Sequence, residues 1–168
     1  LRALYTDITA GRVVEGGSTI TQQLVKNYFL EPSRTFRRKF QEATMAVILE
    51  AIYEKQAILE MYLNEIYMGQ RGSAAIHGMG EAARYYFGRN VDDLTLSECA
   101  TLAGMIRAPS IYSPVRNPQA VLDRRNLVLK RMLNLGMIRD LEYEKARGQP
   151  LRTAIPLLPR NFAPHFVD

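Results

Sequence analysis

Apolar residues recur at three- and four-residue spacing along most of this chain, the period of a helical face. Between Thr35 and about Tyr67 they fall at Phe36, Phe40, Ala43, Val47 and Ala51, then at Ile58, Leu59, Tyr62, Leu63 and Ile66. The break near Glu54 predicts two packed helices. "TLSE" at Thr95 to Glu98 has the form of a capping box. It predicts the start of an Ala/Leu-rich helix that ends before Pro109. "NP" at Asn117 and Pro118 predicts a cap and a first-turn proline, with the helix running to Gly136. "LRALYTDITAG" predicts a short helix closed by Gly11. No strand-like alternation persists, and neither an internal repeat nor a low-complexity tract is visible, so the expected class is all-α. Proline-rich stretches at 109–118 and 150–164 read as loops, the second as a linker.

Composition narrows the function classes only a little. The 168 residues suffice for one domain with its own core. A net charge of +5 favours a partner carrying phosphate, a nucleic acid or an anionic membrane surface, and suits a plain solvated basic surface equally well. The single cysteine, Cys99, rules out an internal disulfide and a cysteine-based zinc site. No apolar run approaches the length of a bilayer span, and no signal peptide is visible. A chain that starts at Leu1 and breaks off in "APHFVD" is expected to be part of something longer.

The stretch "GGSTITQQLVKN", Gly16 to Asn27, carries the first chemistry. Thr19 and Gln22 fit a capping box, with Ser18 an alternative cap, and Ile20, Leu24 and Tyr28 make an apolar stripe. Thr19, Gln22, Gln23 and Lys26 fall on one face at i, i+3, i+4 and i+7. No acid lies between Gly16 and Leu30. A helix N-terminus carries free N–H groups and partial positive charge, so this face could receive an anion with several oxygens. An amphipathic helix with a neutral outer face explains the same residues.

The next segment, "PSRTFRRKFQEA", adds Arg34, Arg37, Arg38 and Lys39. From Lys26 to Lys39 there are five cations (Lys26, Arg34, Arg37, Arg38, Lys39) against one acid, Glu31, a balance of +4. Arg38, Lys39 and Glu42 share a helical face. That spacing supports either an ordinary i,i+4 ion pair or a carboxylate held among cations beside a phosphate site.

"GGSTITQQLVKN", "RRKFQEATMAVILE", "KQAILEMYLNEIYMGQ" and "GMGEAARYYFG", in this order, resemble the successive motifs of the peptidoglycan glycosyltransferases of glycosyltransferase family 51. These are the transglycosylase domains of class A penicillin-binding proteins and of monofunctional transglycosylases. "NPQAVLDRRNLVLKRM" continues the likeness, which covers nearly the whole chain. The resemblance implies a helical, lysozyme-like fold and an inverting polymerisation of lipid II into β-1,4-linked glycan. The donor is the growing glycan on undecaprenyl pyrophosphate, which is released; the acceptor is a GlcNAc 4-hydroxyl. It places the protein at the extracytoplasmic face of the bacterial cytoplasmic membrane, where moenomycin-type inhibitors would bind, and names no nucleic acid as partner. No cofactor is required, with stimulation by Mg²⁺ or Mn²⁺ left open.

Residue by residue, the resemblance puts Ser18, Thr19, Gln22, Gln23, Lys26 and Asn27 in the second family motif, lining the donor site. Arg38 and Lys39 match the third motif and would neutralise charge on the leaving pyrophosphate. Glu42 matches its essential glutamate, and Arg34 becomes an additional phosphate contact. Lys55, Glu60, Asn64, Tyr86, Phe87 and Gly88 match the fourth and fifth motifs and are assigned mainly to architecture. His77 stands where relatives often carry Arg or Tyr, and a structural or solvated role is expected. The first motif, which supplies the proposed general base, is absent and expected upstream of Leu1, so the chain alone is not expected to polymerise glycan normally.

Membrane contact follows from the lipid-borne substrate. Tyr28, Phe29, Leu30 and Phe36, interleaved with Arg34, Arg37 and Arg38, suit an interface, whereas Phe40 is expected in the core. The expected organisation is a glycosyltransferase domain over 1–148 and a linker over 149–168 leading to a transpeptidase domain, as in the 1B-like bifunctional type. No SxxK, SxN or KTG set occurs in the chain. Two alternatives remain: a lysozyme-like hydrolase, which has no need of a cation cluster, and an inactive scaffold fragment. A nucleic-acid module is disfavoured because the cations gather beside one helix start instead of covering a docking face. Asp92 and Asp93 are adjacent and read as capping or solvating a turn, not as metal ligands.

Overall fold

The computed structural model describes residues 18–29 and 35–154. They belong to two compact units, one over Leu1–Glu65 and the other over Ile66–Asp168. The expected helix closed by Gly11, and Leu30 and Arg34, lie outside the described residues.

The first unit holds α1 (Ile20–Phe29), α2 (Phe36–Ile52) and α3 (Lys55–Glu65). α1 packs on both of the others, burying Leu24, Val25, Ala46, Ile58 and Tyr62. Thr35 caps α2, its side chain accepting from the Arg38 N–H at 3.2 Å. Extended backbone at Tyr53 ends the helix beside the expected joint at Glu54.

The face of α2 that packs differs from expectation. Phe36 is 98% exposed, Phe40 is 75% exposed, and Val47 and Ala51 are also exposed. Phe40 is therefore not core. The buried residues of α2 are Glu42 and Ala46. Residues two apart on a helix are about 200° apart, so Phe40 and Glu42 point to nearly opposite sides. The polar side can pack because Arg38 and Lys39 neutralise its carboxylate.

The second unit opens with an antiparallel hairpin, β1 (Tyr67–Arg71) and β2 (Ala74–His77), which the sequence reading does not foresee. Its strands are too short for alternation to declare itself. Gly72, at φ +62°, makes the turn. There follow α4 (Gly78–Phe87), a 3₁₀ turn (Val91–Asp93), α5 (Leu96–Met105), α6 (Pro118–Asn134) and α7 (Asp140–Arg147). The Thr95–Glu98 capping box is present, and Gly88 and Gly136 are left-handed just past α4 and α6. Pro118 takes the first turn of α6, but Asn117 does not cap it; its amide donates instead to the Ile111 carbonyl at 3.4 Å. Ala100, Leu129, Tyr143 and Ala146 form the shared core of α5, α6 and α7. The described chain is thus helical, as expected, with one hairpin added.

Candidate functional site

The site is built within the first unit, where the start of α1 meets the start of α2. Thr19 and Gln22 close the capping box: the Gln22 N–H donates to Thr19 Oγ1 at 3.1 Å, and the Thr19 N–H to Gln22 Oε1 at 3.2 Å. Gln23 is engaged at both ends. Its Nε2 donates to the Ser18 carbonyl at 3.5 Å, and its Oε1 accepts from the Tyr62 hydroxyl at 3.2 Å. Burial pushes the Tyr62 phenol above its ordinary value, which keeps it a donor.

On α2, Glu42 is only 2% exposed yet carries a carboxylate. Such a group persists inside a protein only when paired. The Lys39 ammonium stands 2.7 Å from Glu42 Oε2, and Arg38 Nε lies 3.2 Å from Oε1. The Arg38 contact is an ion pair by distance without hydrogen-bond alignment, since neither atom has a hydrogen-bond partner. Lys39 Nζ also donates to Ser18 Oγ at 2.6 Å, tying the pair to the helix start. Two cations around one carboxylate leave one positive charge in excess. Beside them, Thr35, Phe36, Arg38 and Lys39 line an open depression of about 220 Å³.

The structure thus brings together Ser18, Thr19, Gln22, Gln23, Arg38, Lys39 and Glu42. Lys26 and Asn27 stand exposed at the far end of α1, and among the described residues no hydrogen bond or ion pair joins them to the cluster. Tyr86 and Phe87 are buried and Gly88 caps α4, which fits an architectural role, whereas Lys55, Glu60 and Asn64 are exposed. His77 is exposed at the start of α4, its ring 5.9 Å edge-on from Tyr67. Asp92 and Asp93 lie in the exposed 3₁₀ turn, and no cluster of three metal-ligating side chains exists among the described residues.

Two connections escape the sequence reading. The Thr21 hydroxyl donates to Glu50 Oε1 at 2.6 Å, between α1 and α2. Arg125 on α6 is buried against backbone carbonyls. Neither has a local motif: Glu50 and the carbonyls of Arg147 and Gln149 are more than twenty residues away, and among the described residues the only near partner of Arg125 is the Asn126 side chain.

A family model described as "Transglycosylase" matches residues 1–133. The chain is 52% identical over 151 residues to penicillin-binding protein 1B of Haemophilus influenzae, covering 90% of this chain and 19% of that one. It is 51% identical to penicillin-binding protein 1B of Escherichia coli, over 89% of this chain and 18% of the other. It is also 45% identical to penicillin-binding protein 1A of Aquifex aeolicus, over 100% of this chain and 22% of the other. The chain therefore spans about a fifth of the length of these curated relatives. Among solved structures, penicillin-binding protein 1A of Haemophilus influenzae aligns with a TM-score of 0.55 at 32% identity, over 82% of this chain and 17% of that one. The helical, lysozyme-like fold class is shared with it.

Proposed function

The chain belongs to the transglycosylase family, and on that premise we propose that it carries the donor site of a peptidoglycan glycosyltransferase that polymerises lipid II. The observation that supports this reading most is the buried Glu42 held between Arg38 and Lys39, with Lys39 bonded to Ser18 at an acid-free helix start.

In the reaction the bond from the donor sugar C1 to the pyrophosphate oxygen breaks while a bond from C1 to the acceptor 4-oxygen forms on the opposite face. The α anomer becomes a β-1,4 linkage. The electron pair of the broken bond goes to the undecaprenyl pyrophosphate, where negative charge develops. Arg38 and Lys39 supply cationic donors for that charge, and the positive end of the α1 dipole adds to them. Glu42 holds the two cations in place, and Ser18, Thr19, Gln22 and Gln23 line the same side. Lys26 and Asn27, further along α1, would extend the site towards the lipid, and Arg34, outside the described residues, would add a phosphate contact. The acceptor proton passes to the base supplied by the first family motif.

No cofactor is required in this reading, and Mg²⁺ or Mn²⁺ would stimulate without being essential. The lipid tail sets the location at the extracytoplasmic face of the cytoplasmic membrane. Tyr28, Phe29, Phe36 and Phe40 are exposed beside the exposed Arg37, which suits that boundary, although no helix among the described residues is long and apolar enough to cross a membrane. Moenomycin-type phosphoglycolipids would compete for the same donors.

The test is polymerisation of labelled lipid II by the full-length polypeptide that contains this chain. Glu42→Gln is expected to lower turnover by about 10²–10³-fold, the usual effect of dismantling preorganised charge stabilisation, with the fold retained. Lys26→Ala is expected to weaken donor binding. Wild-type turnover from Glu42→Gln would remove that residue from the mechanism.

A further inference from the structure

We infer that Thr21 and Glu50 are positioning residues for this donor site, fixing the angle at which α1 presents Ser18 and Thr19 to Lys39. The inference rests on the reading of the site given above. Thr21 is 6% exposed and lies on the packed side of α1 with Leu24 and Val25, at i, i+3 and i+4. A polar, β-branched residue is a poor choice for that face on propensity alone. Its hydroxyl donates to Glu50 Oε1 at 2.6 Å, a charge-assisted bond.

Glu50 sits on the same helix as Glu42, about 12 Å further along its axis at 1.5 Å per residue. α1 is therefore attached to α2 at two separated points. One is the Ser18–Lys39–Glu42 chain, and the other is Thr21–Glu50. The apolar contacts of Leu24 and Val25 hold the helices together without direction, so α1 is aimed by its hydrogen bonds. The Tyr62–Gln23 bond ties it to α3, and the two attachments to α2 fix its slide and roll against that helix. Losing the second lets the first turn of α1 shift, and a shift near 1 Å away from the reacting groups can lower a rate by up to about 100-fold.

The test uses the full-length polypeptide and labelled lipid II. Thr21→Val keeps the shape and deletes the donor; Glu50→Ala deletes the acceptor; Thr21→Ser and Glu50→Gln can each remake the bond. Both deletions are expected to lower kcat about tenfold while KM stays within about twofold. The double variant should be no slower than the slower single, and the Ser and Gln variants should recover the rate with melting temperatures above the assay temperature. Full kcat in Thr21→Val and Glu50→Ala, alongside a dead Glu42→Gln, would overturn the positioning role and leave the donor-site reading standing. Additive losses that Ser and Gln do not rescue would overturn it too. A diphosphate seated away from Ser18 and Lys39 in a complex with a non-reactive lipid II analogue would instead remove the donor-site reading, and this inference with it.

Discussion

Arg125 gives the sharpest prediction about stability. The residue is 2% exposed, and among the described residues no carboxylate is a hydrogen-bond partner of it. Its Nη1 donates to Ser97 Oγ at 3.1 Å and to the Gln149 carbonyl at 2.6 Å, its Nη2 donates to the Arg147 carbonyl at 2.7 Å, and Nε and Nη2 both donate to Asn126 Oδ1, at 3.1 and 3.0 Å. Those carbonyls lie at the C-terminal end of α7, where the helix dipole is negative. Burial pushes the guanidinium below its ordinary value, so the charge is held at some expense. Replacing it in Arg125→Met keeps the length and removes every donor.

Two carbonyls in part-buried bonds then lose their partner, at up to about 1–3 kcal/mol each. Part of that loss is offset because a desolvated charge disappears. A net destabilisation of about 2–4 kcal/mol follows. In a unit of this size each kcal/mol moves the melting temperature by about 4–8 °C, so a fall of roughly 10–20 °C is expected. Arg125→Lys should fall between, because one ammonium cannot span the four acceptors. Thermal unfolding measures the effect, and hydrogen exchange should quicken at the amide of Ala154, which donates to the Tyr86 carbonyl at 2.8 Å. A melting temperature for Arg125→Met within about 2 °C of wild type would refute the reasoning.

Two further outcomes can be read off the second unit. Burial, then the neighbouring phenols of Tyr85 and Tyr67, push the Tyr86 hydroxyl up to about 12, and this hydroxyl donates to the Met68 carbonyl at 3.0 Å. The neutral form is favoured in the folded state, so its contribution, roughly 3 kcal/mol, is complete below pH 10 and lost as pH rises towards 12. Denaturant titrations across that range should show a shallower loss in Tyr86→Phe than in wild type. Gly69 has φ +130°, and a Cβ there would collide with the Tyr86 hydroxyl. Gly69→Ala should lower stability by about 1–3 kcal/mol, measured by denaturant midpoint, with Tyr86→Phe relieving part of it.

Local signals were legible in the sequence and remote ones were not. Both capping boxes, at Thr19–Gln22 and Thr95–Glu98, and the joint at Glu54 are present as expected, because each depends on residues within one turn. The Arg38–Lys39–Glu42 grouping was legible for the same reason. The packed face of α2 was not: the aromatic stripe through Phe36 and Phe40 has the right period but faces outward, since hydrophobicity alone does not reveal that a neutralised glutamate can pack. The hairpin at Tyr67–His77 buries few side chains and leaves almost no alternation. Thr21–Glu50 and Arg125 are joined to partners far along the chain, and nothing in their neighbours announces it.

The central claim is that the opening of α1, with Lys39 and Arg38, holds a lipid-borne diphosphate. A structure of the full-length polypeptide bound to a non-reactive lipid II analogue tests it most directly. The claim predicts diphosphate oxygens within hydrogen-bond reach, about 3 Å, of Lys39 Nζ and Ser18 Oγ. A diphosphate seated away from Ser18, Thr19 and Lys39 would contradict it.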